Sequence, residues 1–342
     1  MIFLKKAFLI SGVFISAFIG AGFSSGNEIL FYFSKYGVYG VFGIILAVFL
    51  FSFLQVTVIS QAHMTKSFTV DRYLTSIMNE KLAKITAFIS YLFMAIVFSA
   101  MLSGFGELIF NVFGIKQLYG VLLMLFLCYI TVLKGYKCFI RCESFMSVII
   151  ILTTIFTVFY ILLFREKTAT VASFFDNWAT SSVSYVSYNF LTASALLCVL
   201  GREYEKKSVL KSGFLTFFIL TFIMILLWYI ITLYAGMINL GSLPMLTIAM
   251  RQSRVIGYVY SVSIFISMFT TAVSNYYLLS VKLCDYLPKR LSDVLIIASG
   301  LFLSRFDFAF IIDKLYRFSG VISLFFIYYV LKFYICQKNK NI

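Results

Sequence analysis

The sequence predicts an all-α, polytopic integral membrane protein of about ten transmembrane helices, and three observations carry that prediction. Hydrophobic residues make up 62% of the 342 and charged residues only 12%, with a mean hydropathy of +1.00. That is too apolar for a chain presenting a water-facing surface. The apolar residues come in runs separated by short basic clusters, and crossing the hydrocarbon takes ~20 of them per helix. The 41 Phe and 23 Tyr suit lipid-facing surfaces with Tyr at the interfaces.

Taken in order, the runs place spans near 7–33, 37–61, 85–113, 118–133 and 138–164. After a polar link at 165–176, a second set falls near 177–200, 212–238, 254–281, 291–304 and 308–335. Segment 291–304 is short for a span, so a re-entrant or tilted helix and a total of nine remain open. Its counterpart 118–133 is also short, and matched short segments suggest an internal repeat, about 7–164 and 177–335. The whole chain, 1–342, reads as one membrane domain.

The formal charge of +15 does not indicate a nucleic-acid partner, because the basic residues cluster between apolar runs rather than along one polar face. Retention of Lys and Arg on the cytoplasmic side explains them better: with ten spans, 19 of the 28 fall on one side, and both termini are expected to be cytoplasmic. Lys5, Lys6 and the run 7–19 also resemble a secretory signal peptide. Against cleavage, apolar character resumes at residues 29–33. The six cysteines show no CxxC or CxxH spacing and read as small apolar helix residues. His63 is the single histidine, which leaves a zinc site or a Ser/His/Asp triad almost without support. No enzyme activity and no cofactor are expected.

Inside the first span stands Gly20-Ala21-Gly22-Phe23-Ser24-Ser25-Gly26-Asn27-Glu28, a polar, glycine-rich patch near mid-membrane. Irregular backbone at this depth is tolerated only where it is buried in protein or lines a cavity. Ser25-x-x-Glu28 fits a capping box that would restart a helix near Gly26, its amides and positive dipole end facing the gap. The plainer alternative is a Gly22-x-x-x-Gly26 packing face. The neighbouring polar side chains, expensive in lipid, favour the break. Gly37, Gly40 and Gly43, spaced by three, read as packing positions.

The second half opens on another polar stretch, 181–194, at the corresponding place. Polar interruptions in the first span of each half point to a midplane binding site. Here Tyr188, Asn189 and Thr192 are the expected contacts, the alternative being a serine-rich face that bonds its own backbone. Thr270, Thr271 and Ser274 in the eighth span could complete an oxygen cage for Na⁺ with carbonyls freed at Gly20, or serve as interhelix glue. Proton coupling requires an interior ionisable group, for which Glu28 and then Glu107 are the candidates. Glu143 lies near Lys137 and Arg141 at the inner end, and Asp313 can pair with Arg317.

The stretch from Gly20 to Glu28 resembles the GAGFASGQE signature of YkvI-like bacterial membrane proteins, of the amino acid–polyamine–organocation (APC) transporter superfamily. Ser24 replaces alanine and Asn27 replaces glutamine. The similarity continues through residues 185–189, Leu243-Pro244-Met245-Leu246 and residues 269–274. It implies a LeuT-like fold of two inverted five-helix repeats with spans one and six broken, and a substrate held between spans one, three, six and eight. Around Tyr316-Arg317-Phe318 family habit would place a proline, and none is present.

The expectation is therefore a secondary transporter in the bacterial cytoplasmic membrane, moving an amino acid or related amine by alternating access coupled to Na⁺ or H⁺. The solute would contact Gly20, Gly22, Phe23, Ser24, Ser25, Gly26, Asn27, Tyr188, Asn189 and Thr192. The coupling ion would sit by Gly20, Thr270, Thr271 and Ser274. Its partners would be a small-molecule solute and the lipid bilayer. The alternative is a transporter-like nutrient sensor of the spore-germination receptor type, which binds the solute without net transport.

Overall fold

A computed structural model describes residues 2–19, 21–164, 177–235, 240–306 and 317–340. Among them every regular element is helical. Among the described residues six helices are long and apolar enough to cross a membrane, and each coincides with most of one predicted run. They are α4 (Tyr39–Met64), α6 (Glu80–Phe113), α8 (Tyr136–Leu163), α9 (Trp178–Leu200), α10 (Lys206–Tyr234) and α12 (Arg254–Leu283). The other expected passes fall on the interrupted α1–α2–α3 (Ile2–Phe18, Ala21–Ser24, Asn27–Tyr32), on α7 (Gln117–Leu133), on α13 (Lys289–Leu303) and on α14 (Arg317–Lys340). Two short helices lie between passes, α5 (Val70–Ile77) and α11 (Pro244–Gln252).

Helix limits follow local chemistry. Asn79 caps α6, its side chain accepting from Leu82 N at 2.9 Å, and Gly114 ends the same helix in the left-handed region at φ 71°. Pro244 opens α11, where a missing N–H is harmless. At 15 residues, α13 is about 22 Å long, short of the ~30 Å hydrocarbon core, as its sequence predicted.

Helix contacts recur in related pairs. α1 packs on α10 as α9 packs on α4; α1 on α8 as α9 on α14; α6 on α7 as α12 on α13. Exchanging each pass with the one five later maps one set onto the other, the pattern of two five-helix repeats. An odd number of passes per repeat reverses the second in the membrane. Small residues permit the closest approaches: a Cβ on Gly120 would stand 2.9 Å from Gly106 Cα, and one on Gly43 would stand 2.8 Å from Ser182 Oγ. Gly40 is likewise a packing position, against Phe33 and Trp228. Gly37 is buried as well, and at φ 55° it ends the 3₁₀ turn Ser34–Tyr36 before α4 begins.

Two expectations are corrected. The sixth pass is not broken: α9 runs unbroken through its serine-rich stretch and ends in a 3₁₀ turn, Gly201–Glu203. The polar side chains are satisfied without unwinding. Ser182 Oγ donates to Trp178 O at 2.8 Å, Asn189 Nδ2 to Tyr185 O at 3.2 Å, Thr192 Oγ1 to Asn189 O at 3.2 Å and Ser194 Oγ to Leu191 O at 2.9 Å. The capping box at Ser25 and Glu28 does not close either. Gly26, at φ 83°, is the N-cap of α3, which puts Ser25 one position too early and Glu28 in the second helical position instead of the third. Half of the device survives, since Asn27 N donates to Ser25 Oγ at 3.3 Å.

Candidate functional site

The break in the first pass lies between α1 and α3, and neighbouring helices take up the backbone groups it frees. Tyr260 OH on α12 donates to Ser24 O at 2.6 Å, and Met245 N at the start of α11 donates to Ser25 O at 2.8 Å. Ser24 Oγ stands 2.5 Å from Ser267 Oγ, also on α12. Ser25 Oγ donates back to Gly22 O at 3.1 Å. Phe23 is buried edge-on against Phe18 at 5.9 Å. The irregular backbone is therefore buried in protein, as its depth requires. Gly20 lies outside the described residues.

Glu28, 6% exposed, turns back into the gap. A Cβ added to Gly22 would meet the Glu28 Cδ at 2.7 Å and its Cγ at 2.8 Å, so the carboxylate occupies the space that the glycine leaves open. On the other side the fully buried rings of Tyr185 and Tyr188 on α9 are its electrostatic neighbours. Tyr32, at the end of α3, packs on both, with ring centroids 5.3 and 5.6 Å away. Ser181 Oγ, one turn before Tyr185, donates to Tyr32 O at 2.9 Å and fixes α9 to the end of the first pass.

Tyr32 and Tyr188 also form the floor of a vestibule of about 330 Å³, whose walls include Lys35, Ser184, Ser187 and Gly320. Ser187 Oγ donates to Gly320 O, joining α9 to α14 at this wall. Toward the opposite end of the bundle, a depression beside Phe68, Tyr91, Arg202 and Tyr277 measures about 20 Å³. Asp71 on α5 accepts from Tyr91 OH at 2.8 Å and pairs with Lys282 at 3.1 Å.

A second buried carboxylate was not anticipated. Glu143, 1% exposed, accepts from Ser16 Oγ on α1 at 2.7 Å and from Ser274 Oγ on α12 at 3.2 Å. Thr270 Oγ1, one turn from Ser274, donates to Ser16 O at 3.2 Å and to Ser267 O at 3.1 Å. Thr271 Oγ1 is buried without a hydrogen-bond partner among the described residues. Two helices, α1 and α12, therefore bring hydroxyls to Glu143 on α8, and it makes no ion pair among the described residues. The signal lay in the sequence: Ile140, Glu143, Ser147, Ile150, Thr154, Val158 and Ile161 are all buried at helical spacing. Counting Glu143 with nearby Lys137 and Arg141 concealed that stripe.

The structure brings Gly22, Glu28 and Tyr188 together, and gathers Thr270 and Ser274 around Ser16 and Glu143. Asn189 and Thr192 are half-buried and bond their own helix. Asn27 is half-buried at the start of α3. Glu107 stands apart, accepting from Ser242 Oγ at 2.6 Å just before α11. Asp313 lies outside the described residues. No cluster of three or more His, Cys, Asp or Glu side chains able to hold a metal forms among the described residues.

No known family profile matches the sequence. The chain is 25% identical over 323 residues, 92% of each chain, to the uncharacterized membrane protein YkvI of Bacillus subtilis (strain 168). Its structure superposes on a manganese transporter from Eremococcus coleocola, in a mutant form, with a TM-score of 0.60 at 13% identity. On the substrate-bound outward-open state of a Na⁺-coupled sialic acid symporter the TM-score is 0.66 at 12% identity. Each match covers 93% of this chain and 76% of the other. The chain is thus a multi-pass α-helical membrane protein of LeuT-like fold, similar in sequence to YkvI.

Proposed function

We propose that the chain is a secondary active transporter that moves a small solute, an amino acid or related amine, by alternating access. The observation that carries this reading is the Glu28 carboxylate lodged in the interrupted first pass, against Gly22 and beneath the tyrosine floor of the vestibule. A buried carboxylate ringed by aromatic faces suits an ammonium group, which gains both charge pairing and cation–π attraction there. Displacement of the Tyr32 and Tyr188 rings would admit the solute from the vestibule.

Coupling to Na⁺ or H⁺ is assigned to Glu143. A carboxylate removed from water with only hydroxyl donors around it requires compensating positive charge. A Na⁺ held by Glu143, Ser16, Ser274 and the unpartnered Thr271 hydroxyl, or a proton on Glu143 itself, would supply that charge. α1, which carries Ser16, leads directly into the break, so occupancy of this site and the position of Glu28 would be linked. The basic clusters favour an orientation in which both termini would face the cytoplasm across a bacterial cell membrane.

Counterflow of labelled amino acids and amines into liposomes containing the purified protein tests the reading, with ligands first chosen by thermal shift in Na⁺ and choline buffers. Saturable counterflow that responds to a Na⁺ or pH gradient is expected. A ligand that stabilises the protein yet is never exchanged under either gradient would reject the carrier in favour of the nutrient sensor.

A further inference from the structure

On the outer surface of the helix pair α4 and α10 lies a groove of about 340 Å³, walled by Phe49, Phe53, Phe214, Phe217 and Phe218. Its floor is Gly213, where a Cβ would stand 2.6 Å from Val56 Cγ2. A basic stripe is in register with it. Lys207, Leu210, Lys211, Phe214 and Phe218 are all exposed and form one stripe along α10, so the basic pair continues the groove toward the amino-terminal end of the bundle. Lys6, which faces Glu203 at 4.0 Å, marks that end. Ser52 also lines the groove, but its hydroxyl oxygen is buried beneath a wholly apolar surface.

The depths match a lipid. Gly213 is two residues past Lys211 and six past Lys207, about 3 Å and about 9 Å deeper along the helix. Ester groups of a glycerophospholipid lie at this depth beneath its phosphate. Nearby carboxylates do not claim the lysines: Glu205 Oε2 accepts from Ser208 Oγ at 2.9 Å, and Lys207 and Lys211 make no ion pair among the described residues.

We propose that this surface is a binding site for one anionic glycerophospholipid of the adjoining leaflet. The phosphate rests on Lys207 and Lys211, and an acyl chain lies along the phenylalanine groove. The site is independent of what the protein transports.

Native mass spectrometry of the full-length chain in detergent tests it, with phosphatidylglycerol and phosphatidylcholine of identical acyl chains as probes. One phosphatidylglycerol is expected to be retained in preference to phosphatidylcholine. The double variant Lys207→Ala and Lys211→Ala is expected to weaken phosphatidylglycerol about thirty-fold, from about five-fold per lysine, and to leave phosphatidylcholine unchanged. Lys289→Ala with Arg290→Ala, the same charge change elsewhere, is expected to bind as the parent does. Equal affinity of the parent for both lipids overturns the proposal, as does unchanged binding by the lysine variant. So does an equal loss in the control pair, or a lipid-free dimer, which would mean that a second copy covers the groove.

Discussion

The Glu28 side chain folds back across the broken first pass onto Gly22, so closely that a β-carbon on Gly22 would lie 2.7 Å from Glu28 Cδ. The contact is with the far end of a flexible side chain, so Gly22→Ala should fold and displace the carboxylate. Ligand affinity is expected to fall about tenfold or more, equivalent to about 1.4 kcal/mol, with the melting temperature of the unliganded protein nearly unchanged. Thermal-shift titration checks it, and an unaltered ligand response would mean that Glu28 does not hold the solute.

Glu143→Gln keeps the shape of the group between Ser16 and Ser274 while removing its charge. The variant is expected to bind solute and exchange it in counterflow, but to lose acceleration by a Na⁺ or pH gradient. Flux measured with and without each gradient decides the matter, and wild-type gradient dependence would exclude Glu143 from coupling.

Gly120 and Gly114 should fail for different reasons when substituted. A Cβ on Gly120 meets the backbone of Gly106, so Gly120→Val is expected to force α6 and α7 apart at about 1–3 kcal/mol. Gly114 faces open space but sits at φ 71°, so Gly114→Ala is expected to lose about 1–2 kcal/mol from backbone strain alone. Thermal unfolding in detergent measures both, and Gly114→Asn, which tolerates that conformation, should recover most of the second loss.

Tyr73 OH on α5 donates to Gln61 Oε1 at 2.5 Å, and Gln61 Nε2 on α4 donates to Val330 O on α14 at 3.2 Å. All three residues are buried. Tyr73→Phe leaves the amide oxygen without its donor and is expected to destabilise by about 1–3 kcal/mol. Adding Gln61→Leu should recover part of that, a coupling measurable as a double-mutant cycle.

The spans were legible because the bilayer imposes a length and an apolarity on each one, and no packing detail can relax that demand. The break was legible for a related reason: glycines, serines, an amide and a carboxylate at mid-membrane have few inexpensive explanations. The same logic misled at the sixth pass. Serine, asparagine and threonine can satisfy themselves on carbonyls three or four residues earlier, so a polar stretch there looks like a break in sequence and is a helix in space.

By itself the sequence determined the all-helical membrane architecture, the order of the passes and the interruption before Asn27, because these follow from hydropathy and backbone freedom along the chain. Only the tertiary structure decided that Glu28 turns toward Gly22 and the Tyr185–Tyr188 pair, and that Ser16, Glu143 and Ser274 meet. Those partners come from helices far apart in sequence. Which face of each helix turns inward is settled by packing of the whole bundle, and no single run of residues encodes it.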